Sequence, residues 1–178
     1  MGDVTRDRDT EADSCITKHA LLAGVAGLVP APAIDVAGVA AVQFKMLMEL
    51  ARIHGVEIDS VQVRQLIVTM AGAELSQAIF QWLASAFKAL PGPGTVAGEI
   101  VQGLISTTVT YAMGKAAKLY FQGEQKLTSD QLKDAYRSKL AEGRDFAKAH
   151  ASALASQAGR DEFAADRQST RLNSSHTI

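Results

Sequence analysis

Residues 19–55 read HALLAGVAGLVPAPAIDVAGVAAVQFKMLMELARIHG, and how this run is divided decides the fold. Proline removes a backbone donor and clashes with the preceding turn, so Pro30-Ala-Pro32 breaks what would otherwise be one apolar helix. The expectation is a helical hairpin, with one leg ending near Val29 and the other running from about Ala33 to His54. Small residues line both legs: Ala20, Ala23, Gly24 and Gly27 on the first, Ala33, Ala37, Gly38 and Ala41 on the second. They predict close backbone approach between the legs. Gly55 tolerates positive φ and closes the second leg. In its distal half Phe44, Leu47, Met48 and Ala51 form an apolar side, opposite Lys45, Glu49 and Arg52.

Working outward, Asp13 or Ser14 can cap the first helix. Residues 1–13 are polar and mixed in charge and read as a disordered leader without a secretory signal. Asp59-Ser-Val-Gln62 is a capping box that opens a third helix, expected to reach about Ala89. Leu90-Pro91-Gly92-Pro93-Gly94 ends it. A fourth helix follows to about Phe121, with Gly123 closing it. Thr128-Ser-Asp-Gln131 is a second capping box. It starts a polar fifth helix running to about Ser156, expected on the outside of the bundle or on a partner.

The fold class is therefore all-α: an Ala/Gly-rich bundle of about five helices, with a helical hairpin domain over 14–122 and a polar C-terminal helix over 123–159. A repeat underlies this reading. Pro30-x-Pro32 with Val36-Ala-Gly38 and Val42-Gln43 matches Pro91-x-Pro93 with Val96-Ala-Gly98 and Val101-Gln102. It reflects either two equivalent Pro-x-Pro hairpins or convergence of two similar turns. Residues 166–176 differ in character from everything before them. They resemble one reading frame of a sequencing adaptor, with Gln168 in place of lysine. Residues 166–178 are accordingly read as an artefact and kept out of the fold.

Composition excludes several classes of function. The chain has 178 residues, a net charge of −1 and 6% aromatics, so nothing global points to nucleic acid. The single Cys15 excludes an internal disulfide and a CxxC metal pair. No His/Cys/Asp/Glu set shows metal-ligand spacing along the chain, and no cofactor or catalytic residue is expected. No GxxxxGK[ST] phosphate loop occurs; Gly114-Lys115 is followed by Ala116, so the chain is not itself a GTPase. Each apolar leg offers only about 10 residues before a break, against about 20 for a spanning helix.

His19 and Asp35 are the polar candidates of the central run. A closed hairpin would place them on opposite legs, as a proton relay or ligand site, or else as a structural hydrogen-bonded pair. Asp35 can also simply cap the second helix. Gln43 and Gln102 occupy matching repeat positions and can bond across helices. Met46, Met48 and Met70 read as core. His54 suits a helix C-terminus. Lys115 and Lys118 beside Tyr120 and Phe121 suggest an interfacial belt or an ordinary helix end.

From Lys18-His19-Ala20 to about Leu140 the chain resembles the YcjF-type bacterial domain of unknown function. The residues carrying this are His19-Ala20, Pro30-x-Pro32, Asp35, Gln43, Met46, Leu50-Ala51 and Gly55. In the second half they are Pro91-Gly92, Gly94-Thr95, Thr110-Tyr-Ala-x-Gly114-Lys115 and Tyr120-Phe121. The resemblance implies a helical, membrane-associated domain that accompanies a small GTPase, at the bacterial inner membrane or in the cytoplasm. It supplies no catalytic residues. The competing expectation is a soluble scaffold whose Gly/Ala faces make it a homo-oligomer.

Overall fold

The computed structural model describes residues 2–28, 32–71, 77–88, 97–123 and 126–157; within these, the side chains of 2–5, 32–36, 77–79, 88 and 97–99 are not described. Among the described residues there are seven helices and no strand. In order they are α1 (Gly2–Ala26), α2 (Pro32–Ile53), α3 (Ser60–Ala71), α4 (Gln77–Lys88), α5 (Ala97–Gln122), α6 (Ser129–Ala149) and a short α7 over 151–157.

Local chemistry sets several of these ends. Gly55 sits at φ +69°, the Gly55 N–H donates to the Arg52 carbonyl and the Val56 N–H to that of Ala51. This pair of bonds satisfies carbonyls that the end of α2 would leave open. Asp59 caps α3: its carboxylate accepts from the Val61 and Gln62 N–H groups at 2.8 Å, while Gln62 accepts from the Asp59 N–H at 3.0 Å. Thr128 and Gln131 make the same reciprocal pair at the start of α6. Both boxes were legible as residue pairs three apart.

The core is organised around α5. From Gly103 to Ala117 only Val109 and Lys115 escape full burial. A helix covered on all sides needs its polar groups satisfied. The Thr107 and Thr108 hydroxyls donate to the carbonyls of Gly103 and Leu104, and Thr110 accepts from the Gln43 side chain at 3.1 Å. α1 and α6 both pack along α5, antiparallel to it, and Lys115 of α5 reaches Asp13 of the one and Glu142 of the other. α2 lies against α1 and α5. Ile16, Met46, Leu50, Val63, Met113 and Tyr136 join five helices in one cluster, and Leu83, Phe87, Leu104 and Leu154 form a second under α4 and α7.

Several expectations change. Residues 2–13 belong to α1 rather than to a disordered leader. Asp9 and Asp13, one turn apart, face the lysines of α5: Asp13 lies 2.9 Å from Lys115 Nζ and 3.1 Å from Lys118 Nζ. Gln122 also donates to Asp9 at 2.6 Å. Burial alone would raise the pKa of Asp13, but hydrogen bonds from Lys115 and Lys118 outweigh it and hold the carboxyl below its ordinary value. These lysines therefore close the bundle internally; they do not form an interfacial belt.

The small residues of α1 serve a different neighbour from the expected one. Gly24 and Gly27 face Gly103, Ser106 and Thr107 of α5, and a Cβ on Gly103 would fall 2.8 Å from the Gly24 carbonyl oxygen. Towards α2, by contrast, Ala37 and Ala41 are exposed, and a Cβ on Gly38 would meet only the Ala26 methyl, at 3.6 Å. The single helix expected over 60–89 is described as two, α3 and α4, with 72–76 outside the described residues. α6 is not peripheral: Leu132, Tyr136 and Leu140 join the same cluster as α1 and α2, so the divide drawn at 122/123 does not separate two cores.

α1 and α2 do run back on one another, with Ala26 near Gly38 and His19 near Glu49. Pro30, Pro91 and Pro93 lie outside the described residues, as does the tail at 166–178, and Pro32 is described only as the first residue of α2. The two halves of the repeat do not occupy equivalent settings. Gln43 is buried against Thr110, whereas Gln102 is half-buried on α5.

Candidate functional site between the first two helices

The buried face of α2 is set by Gln43, Met46, Leu47, Leu50 and Ala51, a three- and four-residue spacing. Phe44 and Met48 fall just off that face. Met48 is 38% exposed and therefore not a core residue, contrary to the expectation from sequence. With Leu22 of α1, 47% exposed, these side chains line an open groove. Lys18, Lys45 and Arg52, all exposed, stand around it, and Glu57 lies at its far end. With Glu49 also lining it, the result is an apolar strip with a charged rim of three cations and two carboxylates.

The wall of this groove holds a polar trio. His19 and Cys15 lie one turn apart on α1, both buried, and Glu49 reaches across from α2. His19 Nδ1 is 2.9 Å from the Cys15 carbonyl oxygen, the distance of an N–H donating to the preceding turn. With that tautomer Nε2 keeps its lone pair, and it lies 3.8 Å from Glu49 Oε2. The Cys15 Sγ is 3.6 Å from His19 Nδ1. Burial pushes the Cys15 thiol up to about 12, with the Glu49 carboxylate adding to the shift and Lys18 opposing it. Cys15 is thus a neutral thiol at ordinary pH and not a ready nucleophile.

Of the residues singled out from sequence, His19 is placed here and Asp35 is not. Asp35 lies in the first turn of α2, roughly 20 Å of helix away from Glu49 at 1.5 Å per residue, and its side chain is not described. The carboxylate that lies beside His19 is that of Glu49, at 3.8 Å. The sequence pattern places Glu49 opposite the apolar side of α2, and a single cysteine gives no metal pair by itself. The Cys15/His19 spacing of four was the available signal. Glu49 was invisible because its pairing depends on how the two helices cross.

His54 also differs from expectation. It ends α2, where the helix dipole would favour a charged ring, yet its pKa is lowered. Burial is the leading cause, and it outweighs the opposing pull of the Asp9 carboxylate. Its Nε2 is buried with no hydrogen-bond partner among the described residues.

No helix among the described residues is long and apolar enough to cross a membrane. No solved structure matches the chain. It is similar to "Magnetosome membrane protein 22" of Magnetospirillum gryphiswaldense, 29% identical over 144 residues, which covers 79% of this chain and 74% of that relative. The model of a family described as a domain of unknown function, DUF697, matches residues 2–145. The chain belongs to the DUF697 family.

Proposed function

We propose that this chain is a non-catalytic helical module that docks on the surface of an anionic membrane and works there beside a separate small GTPase. The observation that carries the first part is the groove between α1 and α2. Leu22, Phe44 and Met48 offer apolar surface, and Lys18, Lys45 and Arg52 outnumber the acids Glu49 and Glu57 that also line it. Apolar contact and attraction to acidic headgroups together give peripheral binding without a spanning helix, with each surface cation contributing about 1 kcal/mol. A relative called a magnetosome membrane protein supports a membrane setting. The GTPase partnership rests on the resemblance to the YcjF-type domain, together with the lack of a phosphate loop in this chain.

Vesicle co-sedimentation tests the docking. The chain should pellet with phosphatidylserine-containing vesicles, less so with pure phosphatidylcholine, and progressively less as salt rises. The double variant K45E/R52E should remain in the supernatant while keeping its helical circular dichroism. A wild-type chain that ignores anionic vesicles at low salt contradicts the reading.

A soluble, self-associating scaffold is the second reading, favoured by Phe80 and Trp82 of α4 and by Val61 and Val68 of α3, all exposed. A discrete oligomer in light scattering without detergent, lost on Trp82→Ser, would support it.

A further inference from the structure

We propose that Cys15, His19 and Glu49 bind a single divalent transition-metal ion of the zinc type, leaving one coordination position open to the groove. The site lies in the wall of the groove described above, and its test needs neither a membrane nor a GTPase.

Three observations support it. The donor set is right: thiolate, imidazole and carboxylate are the protein ligands zinc takes, and three of them with an open position is the arrangement of an accessible zinc centre. The geometry is nearly in place. One ligand atom from each residue lies within 4.8 Å of the other two. His19 Nε2 and Glu49 Oε2 are 3.8 Å apart, too far for a hydrogen bond. Nitrogen and oxygen ligands on a tetrahedral ion with bonds near 2.0–2.1 Å stand about 3.4 Å apart, so His19 and Glu49 need only a small contraction, while the Cys15 sulfur, within 4.8 Å of the other two ligand atoms, would have to swing in by up to about 1 Å. The imidazole is also oriented as metal-binding histidines are, with its other nitrogen held by a backbone carbonyl, that of Cys15 at 2.9 Å.

The setting favours a cation as well. A half-buried carboxylate stands beside a buried thiol and a buried ring, with Lys18 on the groove rim rather than bonded to any of them. Cys15 and His19 sit on one rigid helix and Glu49 on another, so an ion would tie α1 to α2. Binding must displace the thiol proton as the metal–sulfur bond forms, and that proton goes to solvent, which makes affinity fall as pH falls.

Cobalt(II) is the probe, added to the reduced, metal-free full chain. The site predicts one equivalent bound, with intense tetrahedral visible bands and a thiolate-to-cobalt charge-transfer band that zinc abolishes by displacement. Cys15→Ser should remove the charge-transfer band, and Glu49→Gln should weaken binding about tenfold or more. Glu49 is only half-buried, so that variant keeps its fold, which circular dichroism checks. Saturating zinc should raise Tm of the wild type and leave Cys15→Ser unmoved. A wild-type chain that gives no cobalt spectrum overturns the proposal. So does a spectrum that survives unchanged in Cys15→Ser, since the ion then sits on surface acids.

Discussion

His54 carries a buried Nε2 with no hydrogen-bond partner among the described residues, and the burial of its ring has a consequence for stability. Burial lowers its pKa from the ordinary value of 6.5, so the unfolded chain binds a proton that the folded chain resists. The folded state is therefore favoured above the unfolded pKa, and that advantage is lost as pH falls from 6.5 towards the lowered folded value. Urea unfolding should show stability decreasing as pH falls below 6.5, and His54→Gln should flatten that slope. Asp13 behaves in the opposite range. Its lowered pKa, like that of Glu142, stabilises the fold above the ordinary carboxylate values and is lost only in stronger acid. At this scale the sequence was a partial guide. The two capping boxes and Gly55 were readable because each partner lies within four residues of the other. His19 is buried, and the carboxylate that lies beside it, that of Glu49, comes from another helix. Nothing in the spacing of residues could choose Glu49 over Asp35.

At the scale of elements, the crossings depend on where a Cβ would collide. Gly143 of α6 lies under the backbone of α5: a Cβ there would sit 2.6 Å from the Thr108 carbonyl oxygen. Alanine would favour the helix by about 1 kcal/mol, but α6 would have to lift from α5, and such overpacking costs about 1–3 kcal/mol. The clash prevails because the obstacle is backbone and cannot rotate away. Gly143→Ala should lower Tm, whereas Gly38→Ala should leave it equal or higher, since its Cβ would meet the Ala26 methyl at an ordinary 3.6 Å. The small-residue pattern was visible in the sequence and was assigned to the wrong pair of helices. Gly/Ala faces say that something approaches closely, not what approaches. α1 and α2 are adjacent in the chain, yet it is α5 that fits against Gly24 and Gly27.

For the whole molecule, helical class and the order of most elements followed from proline, glycine and apolar spacing. The central place of α5 did not. Its buried threonines look polar in a sequence, and only their bonds to Gly103, Leu104 and Gln43 make them core residues. Residues 2–13 were misjudged for a related reason: a polar helix is stabilised here by cations about a hundred residues away. Deleting 2–13 should leave Lys115 and Lys118 half-buried without Asp9 and Asp13, and should remove Ala12 from the core. The cost should be about 2 kcal/mol in urea unfolding. An unchanged midpoint would mean that this segment does not belong to the cooperative fold.

The central claim is that the face between α1 and α2 meets the membrane. Hydroxyl-radical footprinting of the full chain, with and without phosphatidylserine vesicles, tests it most directly. Leu22, Phe44 and Met48 should lose reactivity on vesicle addition, while Trp82 and Val68, exposed elsewhere on the bundle, keep theirs. Protection of Trp82 with Met48 and Phe44 unchanged would contradict the account.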